Sequence, residues 1–115
     1  TDTDYLKELM DKGSYVGMDR FGLDQILSFE DRVATVASLC NDGYVERIVL
    51  SHDASCCLDW IPDRSVVEER VPNWHFNHIS DDVVPALHEL GGTSAQVDRM
   101  LIDNPRTLFE QQGAY

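Results

Sequence analysis

The feature that most constrains the fold is an apolar run, Arg47-Ile48-Val49-Leu50, which stops abruptly at Ser51-His52-Asp53. A continuous aliphatic run of this kind is typical of a strand that is buried on both faces, as in parallel sheets and barrels. A carboxylate at the end of such a strand lies at the carboxyl edge of the sheet, where α/β enzymes place their chemistry. Asp53 is therefore the first candidate for a functional residue.

The first half of the chain has the pattern helix, strand, helix, strand. An amphipathic helix is followed by a strand at Tyr15–Met18, a capping box at Ser28 begins the second helix, and the second strand is Arg47–Ser51. This order predicts an α/β fold in which the two strands are parallel neighbours, with Arg20 and Asp53 at the same end. Two such strands cannot satisfy their outer edges alone, so either another copy completes the sheet or the chain is part of a larger fold.

The second half of the chain is less regular. After Asp53, about 25 residues show no clear periodicity, which predicts a long binding loop or lid. Ser80-Asp81-Asp82 predicts the start of a helix that runs through Leu90, Thr93-Ser94 caps the next helix, and Asn104 begins a final turn. Three side chains of the second of these helices are expected to face the core: Val97, Met100 and Leu101.

The composition excludes several classes of partner. Nine Lys and Arg against 21 Asp and Glu give a net charge of −12, so the surface repels nucleic acid and anionic membranes. No stretch reaches the ~18 apolar residues needed to span a bilayer, and no charged-then-apolar leader opens the chain. Three cysteines, Cys40, Cys56 and Cys57, cannot all pair within one molecule. We therefore expect a reduced, cytoplasmic compartment, with no nucleic-acid or membrane partner.

Four stretches of the sequence carry a more specific signal. They are Gly17-Met18-Asp19-Arg20-Phe21-Gly22-Leu23-Asp24, Leu50-Ser51-His52-Asp53-Ala54, Pro72-Asn73-Trp74-His75-Phe76 and Asp103-Asn104-Pro105-Arg106. In this order they resemble the phosphotriesterase family of the amidohydrolase superfamily, especially its phosphotriesterase-like lactonases and parathion hydrolase-related members. The resemblance implies that residues 1–115 are a single partial domain, the C-terminal portion of a (β/α)₈ TIM barrel, with two parallel strands and their flanking helices.

The resemblance also implies a function for a full-length parent. It would be a binuclear metal-dependent hydrolase of lactones with a phosphotriesterase side activity, and a metal-bound hydroxide would be its nucleophile. Two divalent metal ions are implied, with zinc as the first choice and cobalt, manganese or iron as alternatives. Asp53 is the one metal ligand of the family with a counterpart in this chain, and it would also accept the proton of the attacking hydroxide. The isolated segment is expected to be inactive, and the full-length form is expected to be a homodimer acting on a small-molecule lactone or organophosphate ester.

The resemblance assigns substrate contact to three further residues. Arg20, at the end of the first strand, is expected near the ester oxygen of the leaving group. Ser55 and Trp60 belong to the loop after the second strand, which lines a hydrophobic acyl-chain channel in the lactonases. Cys56 and Cys57 have no basic neighbour, so a catalytic thiolate is not expected.

Simpler interpretations of the same residues remain open. Asp53 could instead be an aspartate that stabilises a turn or caps a helix. Arg20 could instead form a surface ion pair with Asp19. Ser51-His52-Asp53 cannot form a catalytic triad, because consecutive strand residues point to opposite faces, so His52 is expected to be structural.

Two histidines and one rival function complete the sequence predictions. His75 and His78 have a three-residue spacing that is compatible with metal binding, but solvated or loop-bracing histidines are more common. A small acidic flavodoxin-like signalling or interaction domain also uses a strand-end aspartate. The missing acidic cluster, the absence of further strands and the long loop argue against that alternative.

Overall fold

The computed structural model describes residues 2–59, 61 and 63–110, and in this part of the chain helices flank a pair of strands. The elements are α1 (Thr3–Asp11), β1 (Val16–Met18), α2 (Phe29–Asn41), β2 (Ile48–Leu50), α3 (Arg64–Arg70), α4 (Val84–Glu89), α5 (Ser94–Asp98) and α6 (Asn104–Glu110). A 3-10 turn at Val45–Arg47 precedes β2. One π-helical turn, Ile79–Val83, leads into α4, and another, Arg99–Asp103, joins α5 to α6.

The two strands are parallel neighbours, as the sequence predicts. Val16 pairs with Ile48 and Met18 with Leu50, and the pairing continues beyond the strands because the amide of Ser51 donates to the carbonyl of Met18 at 3.1 Å. Strand β1 begins one residue later than predicted and ends at Met18 as predicted, whereas β2 is one residue shorter than predicted at each end. Among the described residues, neither outer edge of the strand pair has a further strand as partner. A segment taken from a closed barrel has such unpaired edges, because its neighbouring strands belong to the rest of the barrel.

Helix α2 crosses from β1 to β2 and supplies much of the core. The Ser28 side chain accepts from the amide of Asp31 at 3.1 Å, so the N-cap is confirmed, but the reciprocal hydrogen bond of the predicted capping box is not seen among the described residues. Cys40 is buried on this helix, and burial raises the pKa of its thiol, in agreement with its predicted core position. The cluster of buried apolar side chains is Met10, Val16, Phe21, Val33, Val36, Ala37, Leu39, Cys40, Ile48, Ile79, Val83, Leu87 and Met100.

A buried amide fixes β2 against the last helix. Asn104 is 2% exposed and donates to the carbonyls of Val45 and Ile48, both at 2.7 Å. These carbonyls would otherwise be left without a partner in the protein interior. The residue thus holds the start of β2 in place, a role that the sequence prediction of a simple turn at Asn104 does not include.

The region predicted to be a structureless loop contains α3. Asp63 caps this helix by accepting from the amide of Ser65 at 3.0 Å, and the side-chain and backbone hydrogen bonds from Ser65 lower the pKa of the Asp63 carboxyl. None of the α3 residues is buried, so the helix has no fully buried apolar stripe. The prediction of a loop was wrong here because hydrophobic periodicity reports only helices that bury a face.

The last helices also begin and end differently from the prediction. His78 already has helical dihedral angles, φ −54° and ψ −37°, so Ser80 lies inside a π-helical turn and does not cap a helix. Val97 and Met100 are buried as predicted, whereas Leu101 is 37% exposed. No helix in the described part of the chain is both long and apolar enough to cross a membrane.

Candidate functional site

Arg20 and Asp53 meet at the carboxyl end of the strand pair. The Nε atom of Arg20 lies 3.6 Å from Oδ2 of Asp53 and 3.9 Å from Oδ2 of Asp19. The same-end placement of Arg20 and Asp53 is therefore confirmed, and the alternative pairing of Arg20 with Asp19 is present as well. All three side chains are more than half exposed, so these ion pairs add little to stability.

Both residues hold an uncommon backbone conformation. Arg20 has φ +59° and Asp53 has φ +55°, and no other described residue except glycine has a positive φ. Left-handed backbone at a non-glycine residue costs about 1 kcal/mol or more and tends to be kept at functional sites. In each case the left-handed residue lies two or three residues after the end of a strand, where the extended backbone has stopped.

A buried arginine holds the loop that carries Arg20. Arg32 is 8% exposed and donates to the carbonyl of Asp19 at 2.9 Å and to that of Leu27 at 3.1 Å. Sequence reasoning missed this residue. The available signal was a charged residue on the buried face of α2, one turn before Val36, where a strictly apolar helix face would have an aliphatic side chain.

The loops after β1 and β2 contact each other closely. Gly22 has φ +97°, and a Cβ atom there would overlap the backbone carbonyl of Asn73. The side chain of Asn73 donates to Oδ2 of Asp24 at 2.9 Å, and the indole of Trp74 donates to the carbonyl of His52 at 2.8 Å. The backbone directly before Asp53 is thus braced by a loop about twenty residues later in the chain.

His52 has a local structural role. Its Nδ1 accepts from the amide of Ala54 at 2.9 Å, and its ring lies edge-on to Phe76 with centroids 5.1 Å apart. Among the described residues no hydrogen bond joins the side chains of Ser51, His52 and Asp53. This geometry agrees with the sequence argument against a catalytic triad.

The loop after β2 and helix α3 line a cavity of about 310 Å³ that is partly open to solvent. Its lining residues are Ser55, Cys56, Cys57, Leu58, Asp59, Ile61, Arg64 and Val67. The cavity therefore combines three aliphatic side chains with a few polar groups, which suits an apolar ligand with one polar end. Contact of Ser55 with a substrate stays a prediction, and Trp60 lies outside the described residues.

We predict that the thiol of Cys57 reacts slowly. The hydrogen bond with Cys56, whose Sγ lies 3.4 Å away, raises the pKa of the Cys57 thiol, so less of it is thiolate at neutral pH. Alkylation of Cys57 by iodoacetamide, followed by peptide mass spectrometry, should therefore need a higher pH than alkylation of a free model thiol. In Cys56→Ala the pH midpoint should fall toward the ordinary value. An unchanged midpoint in that variant would contradict this assignment, and the effect of either cysteine variant on hydrolysis should be mild.

Asp53 alone does not make a metal centre. In the described part of the chain, the one group of three closely spaced His, Cys, Asp or Glu side chains is His75, His78 and Asp82, and it does not include Asp53. Asp53 offers an exposed carboxylate of the kind that divalent ions bind, so it fits the role of a single ligand. The remaining ligands of a binuclear centre would have to come from outside this segment.

Comparison with known proteins places the chain in a family. The phosphotriesterase family model matches residues 1–109. A phosphotriesterase homology protein of Mycobacterium tuberculosis is 52% identical over 115 residues, which are 100% of this chain and 35% of that protein. An aryldialkylphosphatase of Saccharolobus solfataricus is 35% identical over 107 residues, covering 92% of this chain and 34% of that protein.

Solved structures agree with this assignment. The phosphotriesterase of Mycobacterium tuberculosis superposes with a TM-score of 0.93 at 52% identity, over 99% of this chain and 35% of that one. Another solved structure is of a protein whose organophosphate hydrolysis activity was engineered from a weak promiscuous lactonase template. It superposes with a TM-score of 0.77 at 31% identity, over 94% of this chain and 35% of that one. The chain thus spans about a third of the length of these relatives and matches part of a TIM barrel, which leaves no support for a flavodoxin-like domain. It belongs to the phosphotriesterase family.

Proposed function

We propose that the full-length protein is a metal-dependent hydrolase that opens lactone rings, with phosphotriester hydrolysis as a side activity. The main support for this proposal is that three independent features single out Arg20 and Asp53. The two residues are selected by the sequence motifs, they alone among the described non-glycine residues have positive φ, and their side chains approach to 3.6 Å. The relatives include an aryldialkylphosphatase and a protein engineered from a promiscuous lactonase template, which supports hydrolysis of both substrate classes.

In this proposal Asp53 is the metal-binding and proton-accepting residue. Bound divalent ions, with zinc as the first candidate, would lower the pKa of a coordinated water toward neutrality and polarise the carbonyl or phosphoryl oxygen. Asp53 would hold one such ion, and its carboxylate would accept the proton that the attacking water loses. Its exposed position at the sheet edge leaves it accessible to ligands from the rest of a barrel and to substrate.

Arg20 and the loop after β2 would select the substrate. The guanidinium of Arg20 is a fixed cation that donates hydrogen bonds to the ester oxygen of the leaving group. Ser55 and the aliphatic lining of the 310 Å³ cavity would hold the acyl chain of a lactone, together with the predicted contact from Trp60. We also propose that the full-length protein forms a homodimer, as the family resemblance implies. A reduced, cytoplasmic compartment is proposed because Cys40, Cys56 and Cys57 are free thiols.

Substrate preference tests this proposal directly. The full-length protein, loaded with zinc, should hydrolyse lactones with aliphatic side chains at a kcat/KM at least about 100-fold above that for a dialkyl aryl phosphate, a difference of about 2.7 kcal/mol in transition-state stabilisation. Removal of metal with a chelator should abolish both activities. A preference for the phosphate ester, or lactone turnover that survives complete metal removal, would refute the proposal.

Replacing Arg20 by Ala should change substrate turnover without releasing metal. We expect kcat/KM to fall about 10- to 100-fold, by different factors for lactones and phosphate esters, because the lost hydrogen bonds act on the leaving group. Arg20→Lys should restore part of the rate, because it keeps the charge and loses the planar fork. Arg106→Ala, which removes another exposed arginine, is the matched control and should leave kcat/KM unchanged. Equal losses for both substrate classes would show that Arg20 does not act on the leaving group.

A further inference from the structure

A second group of side chains that could bind a metal ion lies at the segment that leads into α4. His75, His78 and Asp82 each offer one donor atom within 4.8 Å of the others, and we name them the His-His-Asp cluster. The two imidazole rings have centroids 5.7 Å apart. His78 and Asp82 are four residues apart on the helical segment that begins at His78, and His75 lies in the bend that precedes it.

His78 has a buried nitrogen that lacks a hydrogen-bond partner in the described part of the chain. The residue is 1% exposed, and its Nδ1 lies 2.8 Å from Oδ2 of Asp82. Its Nε2 is also buried, and among the described residues it has no hydrogen-bond partner. A divalent ion that replaced the proton shared by Nδ1 of His78 and Oδ2 of Asp82 would be bound by both residues, and Nε2 would then carry the ring proton.

The surroundings of His78 favour a cation. A cavity of about 270 Å³ is lined by Asp24, Ser28, Phe29, Glu30, Asn73, His78 and Asp82. Three of these residues carry carboxylates, and the described lining residues include no lysine or arginine to balance them. Oδ1 of Asp24 is a second buried atom that has no hydrogen-bond partner among the described residues. Uncompensated acceptors in a negatively charged cavity are stabilised by a bound positive ion.

We propose that the His-His-Asp cluster binds a divalent transition-metal ion, for which Zn²⁺ is the best match. This ion is separate from any ion that Asp53 binds. Two imidazoles and one carboxylate suit zinc, whereas magnesium and calcium prefer oxygen ligands alone. In a tetrahedral zinc site, ligand atoms about 2.0–2.2 Å from the ion lie about 3.3–3.6 Å apart. The donor atoms of the cluster, which lie within 4.8 Å of one another, would therefore have to move closer together when the ion binds.

The bound ion would have a structural effect close to the candidate active site. It would tie the loop that contains His75 to the segment that enters α4. That loop also contains Trp74, whose indole donates to the carbonyl of His52, the residue before Asp53. The inference does not depend on the proposed substrate, because it concerns metal binding and loop stability alone.

Metal titration of the full-length protein tests the site. Protein stripped with a chelator is titrated with Zn²⁺ by calorimetry, and bound zinc is counted by elemental mass spectrometry. His75→Ala and Asp82→Asn should each bind one equivalent fewer than the unmodified protein and melt at a lower temperature in zinc. His88→Ala is the matched control, since His88 is exposed and its Nδ1 lies 2.8 Å from the carbonyl of Gly92, outside the cluster.

The outcomes separate this proposal from the one on Asp53. Asp53→Asn should lose the metal bound at Asp53 and keep the ion of the His-His-Asp cluster, whereas His75→Ala should do the reverse. The double variant should lose the metal of both sites. Equal zinc stoichiometry in the His75 and Asp82 variants and in the control would overturn the proposal and leave a buried water as the partner of Nε2. If Asp82→Asn fails to fold, His75→Ala decides the question, because it removes a partly exposed ring and leaves the bond between His78 and Asp82 intact.

Discussion

Replacing Asp53 by Asn in the full-length protein is expected to lower kcat for lactone hydrolysis by about 10²- to 10⁴-fold, the range typical of losing a general base. Asparagine keeps a neutral oxygen in nearly the same position but cannot accept a proton, and it binds divalent ions more weakly than a carboxylate does. Metal content should therefore fall together with turnover. Both quantities are measured on one preparation, by elemental analysis and by a pH-stat assay of lactone opening.

The control for this variant is Asp98→Asn, which removes one negative charge from an exposed position near the end of α5. It should change neither quantity. If Asp53→Asn kept its full metal content and near-normal turnover, Asp53 would be the turn aspartate of the simpler interpretation. If Cys56→Ala or Cys57→Ala also lost activity, a thiol nucleophile would have to be reconsidered, although the raised pKa of the Cys57 thiol argues against it.

The parts of the fold that the sequence predicted are those with local signals. The strand before Asp53 is a continuous apolar run, and the cap at Ser28 precedes a helix whose buried face repeats every three to four residues. The parallel pairing follows from the order of these elements. For the same reason the juxtaposition of Arg20 and Asp53 could be predicted, since both residues directly follow strands that lie side by side.

The parts that were missed depend on contacts between distant residues. Helix α3 buries none of its residues, so it leaves no periodic signal, and the π-helical turn at Ile79–Val83 depends on packing that no short motif records. Asn104 and Arg32 donate to carbonyls 56 and 13 residues away, respectively. The burial of His78 is likewise set by tertiary packing. Its sequence neighbours alone favour the exposed or loop-bracing histidine that was expected.

Arg32 gives the prediction with the largest expected effect on stability. Replacing it by Met keeps most of the aliphatic stem but removes every donor, so the carbonyls of Asp19 and Leu27 lose their partners in a buried position. We expect the free energy of unfolding of the full-length protein to fall by about 3 kcal/mol, as measured by urea denaturation. The backbone that precedes Arg20 should also become mobile, so kcat/KM should fall in the surviving folded fraction while metal content is retained.

Two companion variants show whether the carbonyl contacts of Arg32 are responsible. Arg106→Met makes the same chemical change at an exposed residue and should alter the free energy of unfolding by less than about 0.5 kcal/mol. Arg32→Lys keeps the positive charge but cannot span carbonyls that lie in different directions, so its stability should fall between those of Arg32→Met and the unmodified protein. If Arg32→Met and Arg106→Met had the same free energy of unfolding, Arg32 would not be what holds the loop that carries Arg20. The contact between Gly22 and Asn73 would then be sufficient to hold it.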